Sequence, residues 1–162
     1  MTIPRNYLFN THKLNYIKGE KADVSCILCA IADQSPKVTL LEICRTKKTI
    51  ISVNLYPYNA GHLMIFPIRH ITEYENLTQA EALEMHRLTV KAISVLKDEY
   101  NPCGFNVGFN IGDSSGASID HIHQHIIPRY NNETGFIDIL AGTRLCPIDP
   151  EVMMKRLRKR FS

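Results

Sequence analysis

The stretch from Thr78 to Gly104 constrains the fold most, because the chemistry that starts a helix and the chemistry that stops it are both written there. Thr78 and Glu81 form a T-x-x-E capping box, in which the hydroxyl and the carboxylate satisfy backbone N–H groups that a first turn leaves without partners. Asn101-Pro102-Cys103-Gly104 is a stop signal. Between the two, Ala82, Met85, Thr89, Ala92 and Leu96 recur at helical spacing and predict a helix over Gln79–Tyr100 with that stripe packed on a core.

The remaining segments read mostly as strands. Gly104–Ile111 alternates, with Phe105, Val107, Phe109 and Ile111 on a packed face and Asn106, Gly108 and Asn110 on an open one. Val38–Cys44 and Thr49–Asn54 are rich in β-branched residues and separated by Arg45-Thr46-Lys47-Lys48, a hairpin signal. The turn Tyr56–Gly61 leads into a strand over His62–Phe66, ended by Pro67, and Asp120–Ile127 reads as a further strand. Cys26–Ala32 reads as a short helix, and Asp149-Pro150 opens another, with Asp as N-cap and Pro at the first helical position. The expected fold class is α+β: a mostly antiparallel five-stranded sheet with one long helix and short flanking helices. The 162 residues suit a single domain over 1–162. Its core spans about 26–130, between a polar, irregular N-terminal arm (1–25, broken by Pro4 and Gly19) and a helical extension (131–162).

Composition narrows the function classes. An apolar fraction of 44% with 22% charged residues is that of a folded globular chain. A net charge of +3 is too small to argue for nucleic acid or a membrane as partner. Much of the excess sits in Lys155, Arg156, Arg158, Lys159 and Arg160, where a solvated helix end is the simple reading and a polyanion-binding patch the other. No apolar run approaches the roughly 18 residues that span a bilayer, and the start lacks the pattern of a signal peptide. The expected location is cytoplasmic, where the five cysteines, an odd number, are reduced thiols.

The chemistry concentrates in His121, His123 and His125. On a strand, alternate residues share a face, so three imidazoles line one side while Ile122 and Ile126 take the other. Such a row suits a metal site or a phosphate site, where a neutral ring attacks and a protonated one stabilises charge. The preceding Gly112-Asp113-Ser114-Ser115-Gly116-Ala117-Ser118 offers backbone N–H groups and hydroxyls to a phosphate. It is not a P-loop. Cys26 and Cys29 have a spacing that suits zinc, with a redox pair as the rival reading. Cys44 reads as a small core residue, while Cys103 and Cys146 have no nameable partner; His12 and His86 read as surface or helix residues. His62 lines a ligand pocket or is a plain strand histidine.

His121-Ile122-His123-Gln124-His125-Ile126-Ile127-Pro128-Arg129-Tyr130 resembles the signature of the histidine triad (HIT) family, H-φ-H-φ-H-φ-φ with a Pro-Arg-aromatic extension. Asn54-Leu55-Tyr56-Pro57 followed by Gly61-His62 resembles the family's nucleoside-binding segment. Pro67-Ile68-Arg69-His70 resembles its Pro-x-x-His element, and Cys26-Ile27-Leu28-Cys29 the N-terminal Cys-x-x-Cys of many bacterial members. Asn15-Tyr16-Ile17 and the stretch from Arg129 to Phe136 look more like the diadenosine polyphosphate phosphorylase/hydrolase-like branch.

The resemblance implies a HIT-like fold and a nucleotidyl hydrolase or transferase acting at the α-phosphate of nucleoside phosphates or dinucleoside polyphosphates. His123 would be the nucleophile, forming a nucleotidyl-histidine intermediate with its other ring nitrogen donating to a carbonyl, that of His121. His125 would bind phosphoryl oxygens and supply positive charge. Ser118 would contact the phosphate or leaving group, Asn110 the phosphate side and Asn54 the ribose hydroxyls. Ile51, Leu55 and Ile65 would wall the base. Zinc would sit on Cys26, Cys29, His70 and His121 as a structural ion, with no organic cofactor. The implied partners are a nucleotide, purine favoured, and a second copy of the chain in a homodimer. Ala117 departs from the Gln common at that position and removes a contact to the bridging oxygen. The alternatives are a diadenosine polyphosphate phosphorylase using inorganic phosphate, a zinc hydrolase with all three triad histidines on the metal, and a non-catalytic nucleotide-binding regulatory protein.

Overall fold

The computed structural model describes residues 22–131, 133 and 148–161. The arm before residue 22 (His12 and Asn15-Tyr16-Ile17 with it), Cys146, and most of the branch-marking stretch after Asn131 lie outside the described residues.

The elements run α1 (Ile27–Ala32), β1 (Glu42–Arg45), β2 (Thr49–Val53), β3 (Leu63–Pro67), α2 (Gln79–Tyr100), β4 (Gly104–Phe109), β5 (Gln124–Arg129) and α3 (Pro150–Phe161), with single 3₁₀ turns at Tyr74–Asn76 and Asp113–Ser115. The strands form one antiparallel sheet in the order β1-β2-β3-β5-β4. This is the expected α+β class.

Period-two alternation on the central strands sorts the core onto two faces. Ile51, Val53, Leu63 and Ile65 meet Met85, Leu88, Ala92 and Leu96 of α2 and Met153, Leu157 and Phe161 of α3. Ile50, Met64 and Phe66 point the other way, onto Leu28 and Ile31 of α1. Both faces of β2 and β3 are therefore buried; β3 is an unbroken apolar run, and β2 is interrupted by the buried hydroxyls of Thr49 and Ser52. A large-to-small change at the fully buried Leu96 should cost about 2–5 kcal/mol.

The long helix begins and ends where its local chemistry says. Thr78 Oγ1 accepts from Glu81 N–H at 3.3 Å, the Glu81 carboxylate accepts from Thr78 N–H at 2.9 Å, and Asn101 closes the other end in the left-handed region with φ 46°. Its buried stripe starts at Glu81 and not at the expected Ala82, which is exposed. The cause is Arg69, whose guanidinium donates to both Glu81 carboxylate oxygens (3.2 and 3.0 Å) and turns that side chain inward. This pair ties α2 to the segment carrying His70. One turn along the same helix, Glu84 accepts from Thr46 and Thr49 Oγ1 at 2.8 and 2.6 Å and holds the β1–β2 turn.

Three strands differ from expectation. The first starts at Glu42 and not at Val38, because the register shifts between Glu42 and Cys44 and the chain before it runs along a cavity. On β4, Val107 and Ile111 are 42% and 50% exposed, not packed: β4 is an edge strand, Ile111 lies beyond its end, and α2 covers β2, β3 and β5. The last strand starts at Gln124 and not at Asp120, because Ile122 N–H donates to Ile71 O (2.7 Å) and pins 121–123 to the loop after β3.

Candidate active site

A cavity of about 700 Å³ opens between α1, the segment from Lys37 to Leu41, the β2–β3 turn and the loop before β5. Its size suits a nucleotide-sized ligand. His123, His125, Asn110 and Ser118 line one region of it, and Asn54 and Leu55 also face it. A smaller cavity of about 180 Å³ shares Asn110 and Ser118 and adds Ala117 and Thr72.

The three triad imidazoles do not share one environment: His121 faces Cys26 and Cys29, while His123 and His125 lie on the cavity with ring centroids 4.8 Å apart. Each has its tautomer set by a group that can play only one part. His121 Nε2 lies 3.0 Å from Pro67 O. A carbonyl only accepts, so Nε2 carries the proton and Nδ1 presents a lone pair. That Nδ1 lies 3.5 Å from both Cys26 Sγ and Cys29 Sγ. His123 Nδ1 lies 2.7 Å from His121 O and must donate to it, which leaves the Nε2 lone pair for the cavity.

The third ring is set by a chain of bonds. Tyr58 N–H donates to His62 Nδ1 at 3.1 Å, so a neutral His62 carries its proton on Nε2. This Nε2 meets His125 Nδ1 at 2.9 Å, which makes Nδ1 the acceptor and puts the His125 proton on Nε2. The His125 Nε2–H is buried and has no hydrogen-bond partner among the described residues. It belongs to a ring that lines the cavity.

All these rings are neutral near pH 7. Burial first, then His125 and His123, pushes His62 down to about 3. Burial first, then His123, brings His125 down to about 4. Burial also lowers His123, against the hydrogen bond to His121 O. In the free protein His125 therefore offers an N–H donor to the cavity.

His62 does not line the cavity. It is 0% exposed, stacks on Tyr58 with ring centroids 4.9 Å apart, and touches the cavity-lining His125 and Asn54, its Nε2 lying 2.9 Å from His125 Nδ1 and 3.4 Å from Asn54 Nδ2. The residue before it is held by shape. Gly61 has φ 81°, and a Cβ there would come within 2.9 Å of Leu96 Cδ2 and 3.0 Å of Pro128 Cγ. The Asn54 amide is oriented by Tyr56 N–H, which donates to Oδ1 at 2.9 Å and leaves Nδ2 as a donor.

The expected apolar wall is partly misplaced. Leu55 lines the cavity, but Ile51 and Ile65 pack toward α2 in the main core. Alternation puts Met64 and Ser52 on the cavity side, and α1 adds Leu28 and Ile31. Sequence reasoning missed Tyr58, whose signal is its place four residues before His62, and the Leu28/Ile31 pair at helical i, i+3 spacing.

Cys26, Cys29, His70 and His121 converge, with ligand atoms all within 4.8 Å of one another. Cys29 Sγ lies 3.3 Å from His70 Nδ1. Four tetrahedral ligands on zinc, with S at about 2.3 Å and N at about 2.0–2.1 Å, put S and N about 3.5 Å apart. The donor set and its spacing fit that ion. Burial, then Cys26, pushes the Cys29 thiol up to about 11, a tendency a divalent cation among these ligands reverses. Cys26 also lines the cavity, so the cluster and the cavity share a wall.

Residues 34–132 match the HIT domain family. A Mycobacterium tuberculosis protein named AP-4-A phosphorylase is 44% identical over 108 residues, 66% of this chain and 55% of its own length, so the chain spans about half of that relative. The Bacillus subtilis protein named Protein hit is 30% identical over 113 residues, 69% of this chain and 76% of its own length. Among solved structures, a zinc-bound histidine triad family protein from Mycobacterium smegmatis shares the fold, with a TM-score of 0.70 at 21% identity over 85% of this chain and 93% of that one.

Proposed function

The chain belongs to the HIT domain family, and from that premise we propose that it is an enzyme that transfers a nucleotidyl group from a nucleoside phosphate or dinucleoside polyphosphate by way of His123. One observation carries the reading: the 2.7 Å bond from His123 Nδ1 to His121 O aims a bare Nε2 lone pair at a nucleotide-sized cavity. His123 Nε2 attacks the α-phosphorus, an N–P bond forms, and the P–O bond to the leaving group breaks with its electron pair on that oxygen. Water or inorganic phosphate then attacks the same phosphorus and the P–N bond breaks, restoring the imidazole. Splitting one displacement into two easier ones is the gain of a covalent nucleophile.

The other residues take roles that their positions support. His125 donates Nε2–H to a phosphoryl oxygen, held in that tautomer by His62. Asn54 Nδ2 reaches the ribose. Ser118 and Asn110 stand where the two cavities meet, which suits the phosphate and the departing group. Ala117 lines the smaller cavity and leaves there the space a longer side chain would fill.

Cys26, Cys29, His70 and His121 would hold zinc as a structural ion, clamping α1 against the segment before β5. No helix among the described residues is long and apolar enough to cross a membrane, and reduced ligand thiols accord with a cytoplasmic setting. The open edge of β4, with Val107 and Ile111 exposed, supports a homodimer.

The test is a substrate panel run with and without inorganic phosphate. A phosphorylase is the second reading, favoured by the name of the Mycobacterium tuberculosis relative. ADP released from diadenosine tetraphosphate only when phosphate is present identifies it. AMP released in water alone identifies a hydrolase. Absence of turnover on every nucleotide, with AMP still bound, overturns the enzyme reading in favour of a binding protein.

A further inference from the structure

The geometry points to Ser52 as the residue that reads the base, selecting adenine through its exocyclic amino group; this rests on the nucleotide reading of the cavity. Away from the histidines the cavity wall is mainly apolar, with Leu28, Ile31, Leu41 and Met64. Ser52 is the buried polar residue of that wall. It lines the cavity, it is 1% exposed, and its strand neighbours on the same face, Ile50, Met64 and Phe66, belong to the smaller core. Lys37 and Thr39 also line the cavity but are exposed to solvent. The Ser52 hydroxyl has one partner, the carbonyl of Val53, and the lone pairs left over stand at the open cavity, where a ligand can use them.

The register sets the distance. Ser52 pairs with Met64, and Met64 pairs with His125, so all three share one face of β2, β3 and β5. Two strand spacings separate Ser52 from His125, about 10 Å. This is comparable with the reach of a nucleoside monophosphate from its phosphorus to the far edge of its base. With phosphate at His123 and His125, that edge comes to Ser52.

The hydroxyl proton is already committed. Ser52 Oγ donates to Val53 O at 3.1 Å, which leaves lone pairs and no donor for the cavity. An acceptor at this place welcomes an amino group and opposes a keto oxygen. Adenine presents its 6-amino group and leaves only ring N1 among the aliphatic neighbours. Hypoxanthine sets a keto oxygen against the lone pairs. Guanine adds a 2-amino group but must bury both O6 and N1–H where Leu28, Ile31 and Leu41 offer no partner.

Calorimetric titration of the whole protein with AMP, IMP and purine riboside 5′-monophosphate reads this directly. The wild type should bind AMP about five- to tenfold more tightly than IMP, as one hydrogen bond gained against one opposed contact requires. The purine analogue, which lacks any 6-substituent, should fall between them. Ser52→Ala should weaken AMP to the level of that analogue, strengthen IMP to about the same level by removing the opposed contact, and bring the AMP to IMP ratio close to one. GMP should bind no better than IMP. The ligand series on the wild type is independent of how well the variant folds. Equal affinity for AMP and IMP in the wild type, GMP binding as tight as AMP, or an AMP preference that survives in a folded Ser52→Ala, overturns the assignment while leaving the nucleotide site standing. No binding of any of these nucleotides to the wild type overturns the nucleotide reading itself, and Ser52's role with it.

Discussion

His62 Nε2 meets His125 Nδ1 at 2.9 Å, and because Tyr58 N–H already occupies His62 Nδ1, the proton between the two rings belongs to His62. A backbone amide thus decides which nitrogen of His125 carries hydrogen at the cavity. The same logic sets His121 through Pro67 O and His123 through His121 O. Four imidazoles are given their parts by backbone groups, with no carboxylate among these partners.

His62→Phe should therefore lower kcat while leaving KM for the nucleotide nearly unchanged. The replacement keeps a ring against Tyr58 but removes the donor to His125 Nδ1, whose tautomer is then free. Loss of one buried partner costs about 1–3 kcal/mol. Spent on the transition state, that is roughly a 10- to 100-fold fall in kcat. Steady-state kinetics on a folded variant checks it; a rise in KM with kcat intact would make His62 a binding residue instead.

Acid should destabilise the fold well before the carboxylates titrate. At pH values above 6.5, the ordinary value for a histidine, both folded and unfolded chains hold the rings of His62 and His125 neutral and no stability is lost. Below 6.5 the unfolded chain takes up protons that the folded one refuses, until about 4 for His125 and about 3 for His62. Across that window each ring removes about 1.4 kcal/mol per pH unit. Urea unfolding at a series of pH values should show the midpoint falling from pH 6.5 to 4, less steeply in His62→Phe. A flat midpoint over that range would mean that these rings do not stay neutral in the folded chain.

The ends of α2 were legible because their signals are local: Thr78 and Glu81 lie one turn apart, and Asn101 follows directly. Burial at Glu81 was not, since its partner Arg69 lies twelve residues away. The start of β5 was misread for the same reason, as Ile122 is claimed by Ile71 across the fold. At the site, the resemblance supplied the triad, Asn54 and the four-ligand cluster. It did not supply the part of His62, which depends on a ring 63 residues distant. Nor did periodicity say which face of β2 meets the cavity: Ile51 and Ser52 are adjacent, and only the packing of α1 and α2 on opposite faces tells them apart.

Removing the metal should loosen α1 and weaken nucleotide binding together, because Cys26 serves both the four-ligand cluster and the cavity wall. Protein purified without added metal should carry about one zinc per chain, as a closed four-ligand site requires. Chelation or Cys26→Ser that removes even about 2 kcal/mol should lower Tm by roughly 4–8 °C for a domain of this size. Hydrogen exchange should rise over residues 24–32 and KM for the nucleotide should increase. Metal-free protein with an unchanged melting curve, or a reversible Cys26–Cys29 disulfide in its place, would refute the zinc assignment.

His123→Ala should abolish turnover and keep AMP binding. His121 has its lone pair turned to the thiols, and His125 has its own turned to His62, so His123 alone of the three aims a bare nitrogen at the cavity. No neighbour is placed to replace it, since each is locked in another tautomer by a bond that must first break. Removing a covalent nucleophile leaves only a slower, different route. The contacts proposed for ribose and base belong to Asn54 and other residues of the cavity wall, which the substitution does not touch. His123→Gly, which opens the space of a ring, should regain part of the activity with added imidazole. Rapid-quench mass spectrometry of the wild type with a dinucleoside polyphosphate should find an acid-labile nucleotidyl adduct on the peptide containing His123. Near-normal turnover in His123→Ala, or full turnover with the adduct on another histidine, would take the role from His123.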